Sequence, residues 1–260
     1  MPSLRYDSFS DFDNVVNPRI GILLSKPGVN YIGLRGSWGR SFRAPSFNDL
    51  YWAEDMFTKG NPDLKVERSD NFEIGLRSEL SLAGGLNFDL CYFNKDVNDL
   101  INWGLDATSG KFMPDNVSAA LISGQEFSVS LRELAGVLFT QLNITHMSAI
   151  NKSGITGTDG KKLTYRSPLS AGLTAGLDLG SLYLTLTATH LDKRYTDKLN
   201  SKSLDPHTLF DADLAYKPVF AGIKLNFILS VLNIFDENYT VVENYPMPGR
   251  MIRFMAGIGL

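Results

Sequence analysis

Few side chains in this sequence stand at the spacings that chemistry needs. The three histidines, His146, His190 and His207, lie far apart and form no HExxH-type pair. The single cysteine, Cys91, excludes an internal disulfide framework and any multi-cysteine metal site. No serine sits in a GxSxG elbow, and Gly33, Gly36 and Gly39 do not open a helix, so they are not a dinucleotide loop. The Asp211/Asp213 pair alternates on one side of an extended segment, as solvated polar residues do. The residues thus point to no catalytic centre, cofactor or metal. With 25 basic and 28 acidic residues interspersed, there is no clustered basic face for nucleic acid. What remains is contact chemistry. Tyr51, Trp52, Trp103, Tyr239 and Tyr245 fall in irregular stretches, where such rings offer stacking area with a polar tip.

The most conspicuous irregular stretch lies within residues 40–77, RSFRAPSFNDLYWAEDMFTKGNPDLKVERSDNFEIGLR. Its middle has neither helical nor strand periodicity, and unstructured segments of about thirty residues in a compact domain are functional or disordered. Pro45 and Pro62 restrict the backbone locally. Arg43 can fork to a loop carboxylate such as Asp49 or Glu54.

The elements that hold this stretch are strands. Leu86, Phe88, Leu90 and Tyr92 alternate with Asn87, Asp89 and Cys91; Leu182, Leu184, Leu186 and Ala188 alternate with Tyr183, Thr185, Thr187 and Thr189. Phe210–Leu214, Ile223–Val231 and Ile252–Leu260 repeat the pattern. Period two marks strands with two unlike faces. About twelve strands are expected, near 3–9, 17–25, 30–39, 69–81, 85–95, 118–133, 137–149, 163–177, 181–193, 207–216, 221–233 and 249–260. Short connections near 25–30, 81–85, 133–136, 178–181 and 217–222 alternate with long ones at 40–68, 96–117, 150–162, 194–206 and 234–248.

Long strands and loops that are long at one end only describe an all-β, antiparallel, up-and-down barrel crossing an outer membrane. A soluble barrel with its apolar face inward would show the same alternation. In the membrane reading, Glu73, Arg77, Glu79, Asp89, Asp211, Asp213 and Lys224 line a polar lumen. Trp38 at a strand end fits an interfacial girdle, and Trp52 and Trp103 fit girdle or ligand contact equally. No apolar run is long enough for a transmembrane helix, and MPSLRYDSFSDFDN does not read as a signal peptide.

SFRAPSFNDLYW followed by GNPDLKVERSDNFEIGL resembles a segment of the TonB-dependent outer-membrane receptors. The matching positions are Phe42, Arg43, Ala44, Pro45, Asn61, Pro62, Leu64, Glu67, Glu73 and Gly75. NIFDENYTVVENYPMPGR resembles the closing motif of the same family through Asn233, Phe235, Asp236, Tyr239, Pro248, Gly249 and Arg250. These residues are expected to shape loops and rim, with ligand contacts from Tyr51, Trp52, Trp103 and Tyr245.

The resemblance implies that residues 1–260 are the C-terminal part of a 22-stranded barrel, without the N-terminal plug and the segment that engages TonB. It implies an outer-membrane location, lipid as surroundings, and energised uptake of a large scarce nutrient of the ferric siderophore, haem or cobalamin class. A passive twelve-stranded pore and a non-functional receptor fragment are the alternatives. The resemblance names no single cargo.

Overall fold

The computed structural model describes residues 1–9, 14–26, 28, 30–81, 84–106 and 108–259. Twelve long strands build it: β1 (Pro2–Asp7), β2 (Val15–Lys26), β3 (Tyr31–Arg43), β4 (Glu67–Leu80), β5 (Leu86–Leu105), β6 (Phe112–Leu134), β7 (Leu138–Asn151), β8 (Leu169–Asp178), β9 (Leu182–Leu191), β10 (His207–Tyr216), β11 (Ile223–Leu232) and β12 (Met251–Gly259). A single short helix, α1 (Phe47–Tyr51), is seen among the described residues. Each strand pairs antiparallel with the next in chain order. The twelve expected strands are therefore found in their expected order, although the last expected one reaches Leu260, outside the described residues.

No pairing joins β1 to β12 among the described residues, so the sheet is an open wall rather than a closed twelve-stranded pore. Antiparallel order places every long connection at one end. There lie 44–66, 152–168, 192–206 and 233–250, together with the tip between β5 and β6. The tight turns lie at the other end. Ala135, Ala221, Gly136 and Gly222 there take left-handed φ angles of 54°, 51°, 76° and 83°, as close strand reversals demand.

Register carries each face across the sheet. Leu24, Leu34, Leu76, Leu90, Phe127, Ile144 and Ala171 lie side by side on β2 to β8. Ala175, Leu186, Ala212, Val231 and Ile252 continue that face on β8 to β12. The opposite face aligns Glu79, Asn87, Ser130, Gln141, Thr174, Thr187 and Asp211. Arg35, Glu73, Arg77, Asp89, Asp213, Ser230, Lys224 and Arg253 share this second face by strand parity. Leu34, Ile74, Leu186 and Phe254 are exposed. An apolar band of that extent is tolerated against lipid and is a liability in water.

Gly75 shows why a glycine belongs in the family-like motif. A Cβ there would lie 2.9 Å from Arg35 Cζ. The bare backbone lets the guanidinium cross β4 and fork onto Asp89 of β5 at 2.6 and 2.7 Å. That is the bidentate geometry that arginine favours.

Two expectations need correction. Residues 96–117 read as loop in the sequence, yet β5 runs on to Leu105 and β6 begins at Phe112. The result is a two-stranded overhang projecting past the neighbouring strands. Strand β8 begins at Leu169 rather than 163, after Pro168, whose carbonyl accepts the Met147 amide at 2.8 Å.

The fully packed apolar groups gather under the long loops. Val97, Leu100, Ala120, Ala149 and Leu163 form one cluster, and Leu50, Leu64 and Ile101 another. Along the body of the sheet neither face is covered by other elements, so burial concentrates where loops fold back on the overhang.

Candidate functional site: the loop collar

The collar starts at Ser46, whose side chain accepts from the Asp49 amide while Asp49 accepts from the Ser46 amide at 2.9 Å. This capping box nucleates α1 within the irregular stretch. Asp49 is 3% exposed. Its carboxylate also accepts from Trp103 Nε1 at 2.8 Å and Ser46 Oγ at 2.8 Å, and meets Arg43 Nη2 at 3.3 Å. Burial pushes the Asp49 carboxyl up, but Ser46, Trp103 and Arg43 together outweigh it and hold the group below the usual carboxylate range.

Arg43 also faces Glu67, with Nη1 3.9 Å from Oε2. Glu67 is buried, accepts the Ile101 amide at 3.2 Å and lies 3.7 Å from Lys95 Nζ. Arg43 thus spans Asp49 and Glu67. Glu54 instead pairs with Lys111 at 2.7 Å.

The NPDL segment finishes the docking. Asn61 donates its side chain to Pro114 O at 3.2 Å, and its amide donates to Asp49 O at 2.8 Å. Leu64 fills the pocket beside Leu50 and Ile101. Pro45 is buried, Pro62 is exposed, Ala44 is half-buried, and Phe42 packs edge-on against Phe9 with centroids 5.6 Å apart. The irregular stretch is therefore a folded loop clamped onto the β5–β6 overhang.

The overhang is tied onward. Asn102 donates to Thr164 Oγ1 at 3.0 Å, and Lys198 reaches Asp115 at 3.3 Å. Asn200 exchanges two bonds with the Lys162 backbone, at 2.7 and 2.9 Å. The Tyr165 amide donates to Tyr195 O at 2.8 Å, and Arg194 Nη2 donates to Thr240 O at 3.1 Å. Four loops and one overhang thus form a continuous collar.

The closing motif is a turn network. Asn233, at φ 51°, donates its amide to Asp211 at 2.8 Å and exchanges bonds with Glu237 at 2.9 and 2.8 Å. Asp236, at φ 57°, accepts the Arg250 amide at 2.6 Å. A Cβ on Gly249 would sit 2.5 Å from that same carboxylate oxygen. Arg250 Nη1 donates to Ile234 O at 3.3 Å. Phe235 packs edge-on against Phe210 with centroids 5.2 Å apart, and Tyr239 lies over His207 at 4.7 Å. Pro248 is exposed.

Among the aromatics, Tyr51, Trp52 and Tyr245 are exposed, at 65%, 46% and 68%. Trp103 is half-buried between Trp52 and Phe112, with centroids 6.3 and 5.7 Å away. Ser46, Thr164, Arg194 and Asn116, whose side chain accepts the Lys65 amide at 2.8 Å and donates to Lys65 O at 3.2 Å, escaped the sequence reading. Only Ser46-x-x-Asp49 carried a local signal, that of a capping box. Among the described residues no cluster of metal-ligating groups is present.

An antiparallel wall with one apolar face, one polar face and all its long loops at one end is barrel architecture of the membrane type. The chain belongs to the family described as TonB dependent receptor-like, beta-barrel, whose model matches residues 1–234. It is 33% identical over 82% of its length to the Vitamin B12 transporter BtuB of Photobacterium profundum and 30% identical over 93% to that of Vibrio vulnificus (strain YJ016). It spans 33% and 36% of those relatives, about a third of each. The ferric enterobactin receptor PfeA of Pseudomonas aeruginosa superimposes with a TM-score of 0.72 at 22% identity, covering 98% of this chain and 42% of that one. The copper transporter OprC gives 0.71 at 19%, covering 92% and 38%. The structural likenesses speak for the fold. The names describe transporters and receptors rather than enzymes.

Proposed function

We propose that this chain is the C-terminal part of the barrel of an outer-membrane receptor for a cobalamin-class corrinoid, with uptake energised through TonB. The observation that carries the reading is the 33% identity to a vitamin B12 transporter across 82% of the chain. The siderophore-receptor structures stand at lower identity and inform only the fold. In this reading the plug and the TonB-engaging segment belong to the rest of the receptor. Exposed Tyr51, Trp52 and Tyr245 on the collar would offer apolar, ring-shaped area to a large flat cargo. The Trp103 indole N–H is already committed to Asp49, so that residue positions the loop rather than reaching for ligand. The motif residues Arg43, Asn61, Glu67, Asn233, Asp236 and Gly249 hold the loops in the same sense.

The test is uptake of labelled cyanocobalamin by receptor-deficient cells expressing the full-length receptor that carries this chain, with and without TonB. TonB-dependent accumulation of the corrinoid supports the reading. TonB-independent entry would make the protein a passive pore. Accumulation of a ferric catecholate in place of the corrinoid would reassign the cargo.

A further inference from the structure

The polar face of the sheet is not uniform. On β3 to β5 its side chains are charged and largely paired with one another: Arg35 with Asp89 at 2.6 Å, Arg77 with Glu79 at 2.8 Å, and Lys95 with Glu67 at 3.7 Å. On β10 and β11 it is charged again, through Asp211, Asp213 and Lys224. Between these two regions, across β7, β8 and β9, the only charged residue on that face among the described residues is Asp178. It stands at the turn, where it accepts the Gly180 amide at 2.9 Å.

Hydroxyls and carboxamides fill the gap. Ser128, Asn143, Gly172 and Thr189 lie side by side on β6 to β9. Two residues nearer the turns, Ser130, Gln141, Thr174 and Thr187 form a parallel row. Ser128 Oγ donates to Asn143 Oδ1 at 2.8 Å, and the Thr174 and Thr187 hydroxyls lie 3.5 Å apart. A concavity of about 550 Å³ opens where this field meets the charged strands, with Ser128, Asn143 and Thr145 on one side and Asp89 on the other. At Gly172 the surface is cut back to bare backbone, since a Cβ there would meet nothing within 4 Å.

A hydroxyl or a carboxamide both donates and accepts, so it can exchange bonds with a passing amide in either orientation. Charged walls instead hold counter-charged groups in strong, charge-assisted bonds. Passage through a pore requires contacts that are numerous and individually weak. A large solute that bears amides and no net charge therefore meets its smoothest path along β7 to β9.

We propose that the polar face of β7 to β9 is the wall along which the corrinoid crosses the barrel, with Asn143, Thr174, Thr187 and Thr189 exchanging hydrogen bonds with its peripheral amides beside the Gly172 notch. The route presupposes the corrinoid cargo proposed above and adds where in the barrel that cargo travels.

The test uses receptor-deficient cells expressing the full-length receptor that carries this chain, with radiolabelled cyanocobalamin as probe. Thr187→p-benzoylphenylalanine, irradiated during uptake, should cross-link the corrinoid to the receptor. The same substitution at Thr174 should do so too, and serves if the first variant fails to fold. At Lys224, on the charged side of the same face, no cross-link is expected, and in cells lacking TonB the Thr187 cross-link should be lost. Thr187→Arg should lower the uptake rate about tenfold while binding at the cell surface stays within about twofold, and Thr187→Ser should leave both unchanged. A cross-link at Lys224 as strong as that at Thr187, or one at Thr187 that persists without TonB, would overturn the proposal. So would accumulation of the corrinoid with no cross-link at either threonine, which leaves the cargo reading standing. Cells that accumulate no corrinoid would overturn the cargo reading, and the route with it.

Discussion

The indole of Trp103, on the β5–β6 overhang, donates to the carboxylate of Asp49, on α1, across 54 residues of chain at 2.8 Å. That one bond joins the irregular loop to the sheet extension that supports it. Because the acceptor is charged and almost fully buried, the bond belongs to the stronger class, worth about 1.5–3 kcal/mol.

Trp103→Phe keeps an aromatic ring between Trp52 and Phe112 but removes the donor. Amide protection in residues 46–61 should fall about ten- to hundredfold, with the strands β8 to β12 unchanged. Hydrogen exchange followed by mass spectrometry reads this directly. Equal loss of protection across the whole sheet would show that the bond is not local to the loop.

The same carboxylate sets a pH dependence. Its folded pKa lies below the ordinary value of 3.8, so its contribution is present above that value and fades as pH falls through the lower folded pKa. The loop should stay docked at pH 5 and release below 3.8. Tryptophan fluorescence from Trp52 and Trp103 should report that release, and Asp49→Asn should flatten the transition. A midpoint well above 3.8 would contradict the assignment.

Much of this fold was legible because a sheet with one apolar and one polar face imposes strict alternation. Leu182 to Thr189 shows it without a break. The overhang was not legible, because both of its faces meet protein. Leu100 and Ile101 are adjacent and both buried, which erases period two. Asp99 at φ 54° and a fully buried Pro114 within β6 resemble loop chemistry as well. The clamp was half legible. The Arg43–Asp49 contact could be anticipated from spacing, whereas Glu67, Trp103 and Asn116 act across long separations that no local pattern encodes.

In the closing turn, Gly249→Ala would press a methyl group onto the Asp236 oxygen that accepts the Arg250 amide. Either that bond breaks or the turn shifts, at a cost of about 1–3 kcal/mol. Denaturant unfolding of the full-length receptor in vesicles should show a lower midpoint. Pro248→Ala, at an exposed neighbour, should change the midpoint far less.

Two adjacent residues of β9 test which face meets lipid. Leu186→Arg places a charge on the apolar face and should cost about 2–4 kcal/mol if near the bilayer midplane. Thr185→Arg places it on the opposite face, beside Asp213, and should change stability by about 0.5 kcal/mol or less. Equal costs would mean that the two faces share one environment.

The most direct measurement is equilibrium binding of cyanocobalamin to the purified full-length receptor, with a ferric catecholate as competitor. Saturable corrinoid binding that the catecholate does not displace, and that Trp52→Ala weakens, is the expected result. Absence of corrinoid binding, or its displacement by the catecholate, would contradict it.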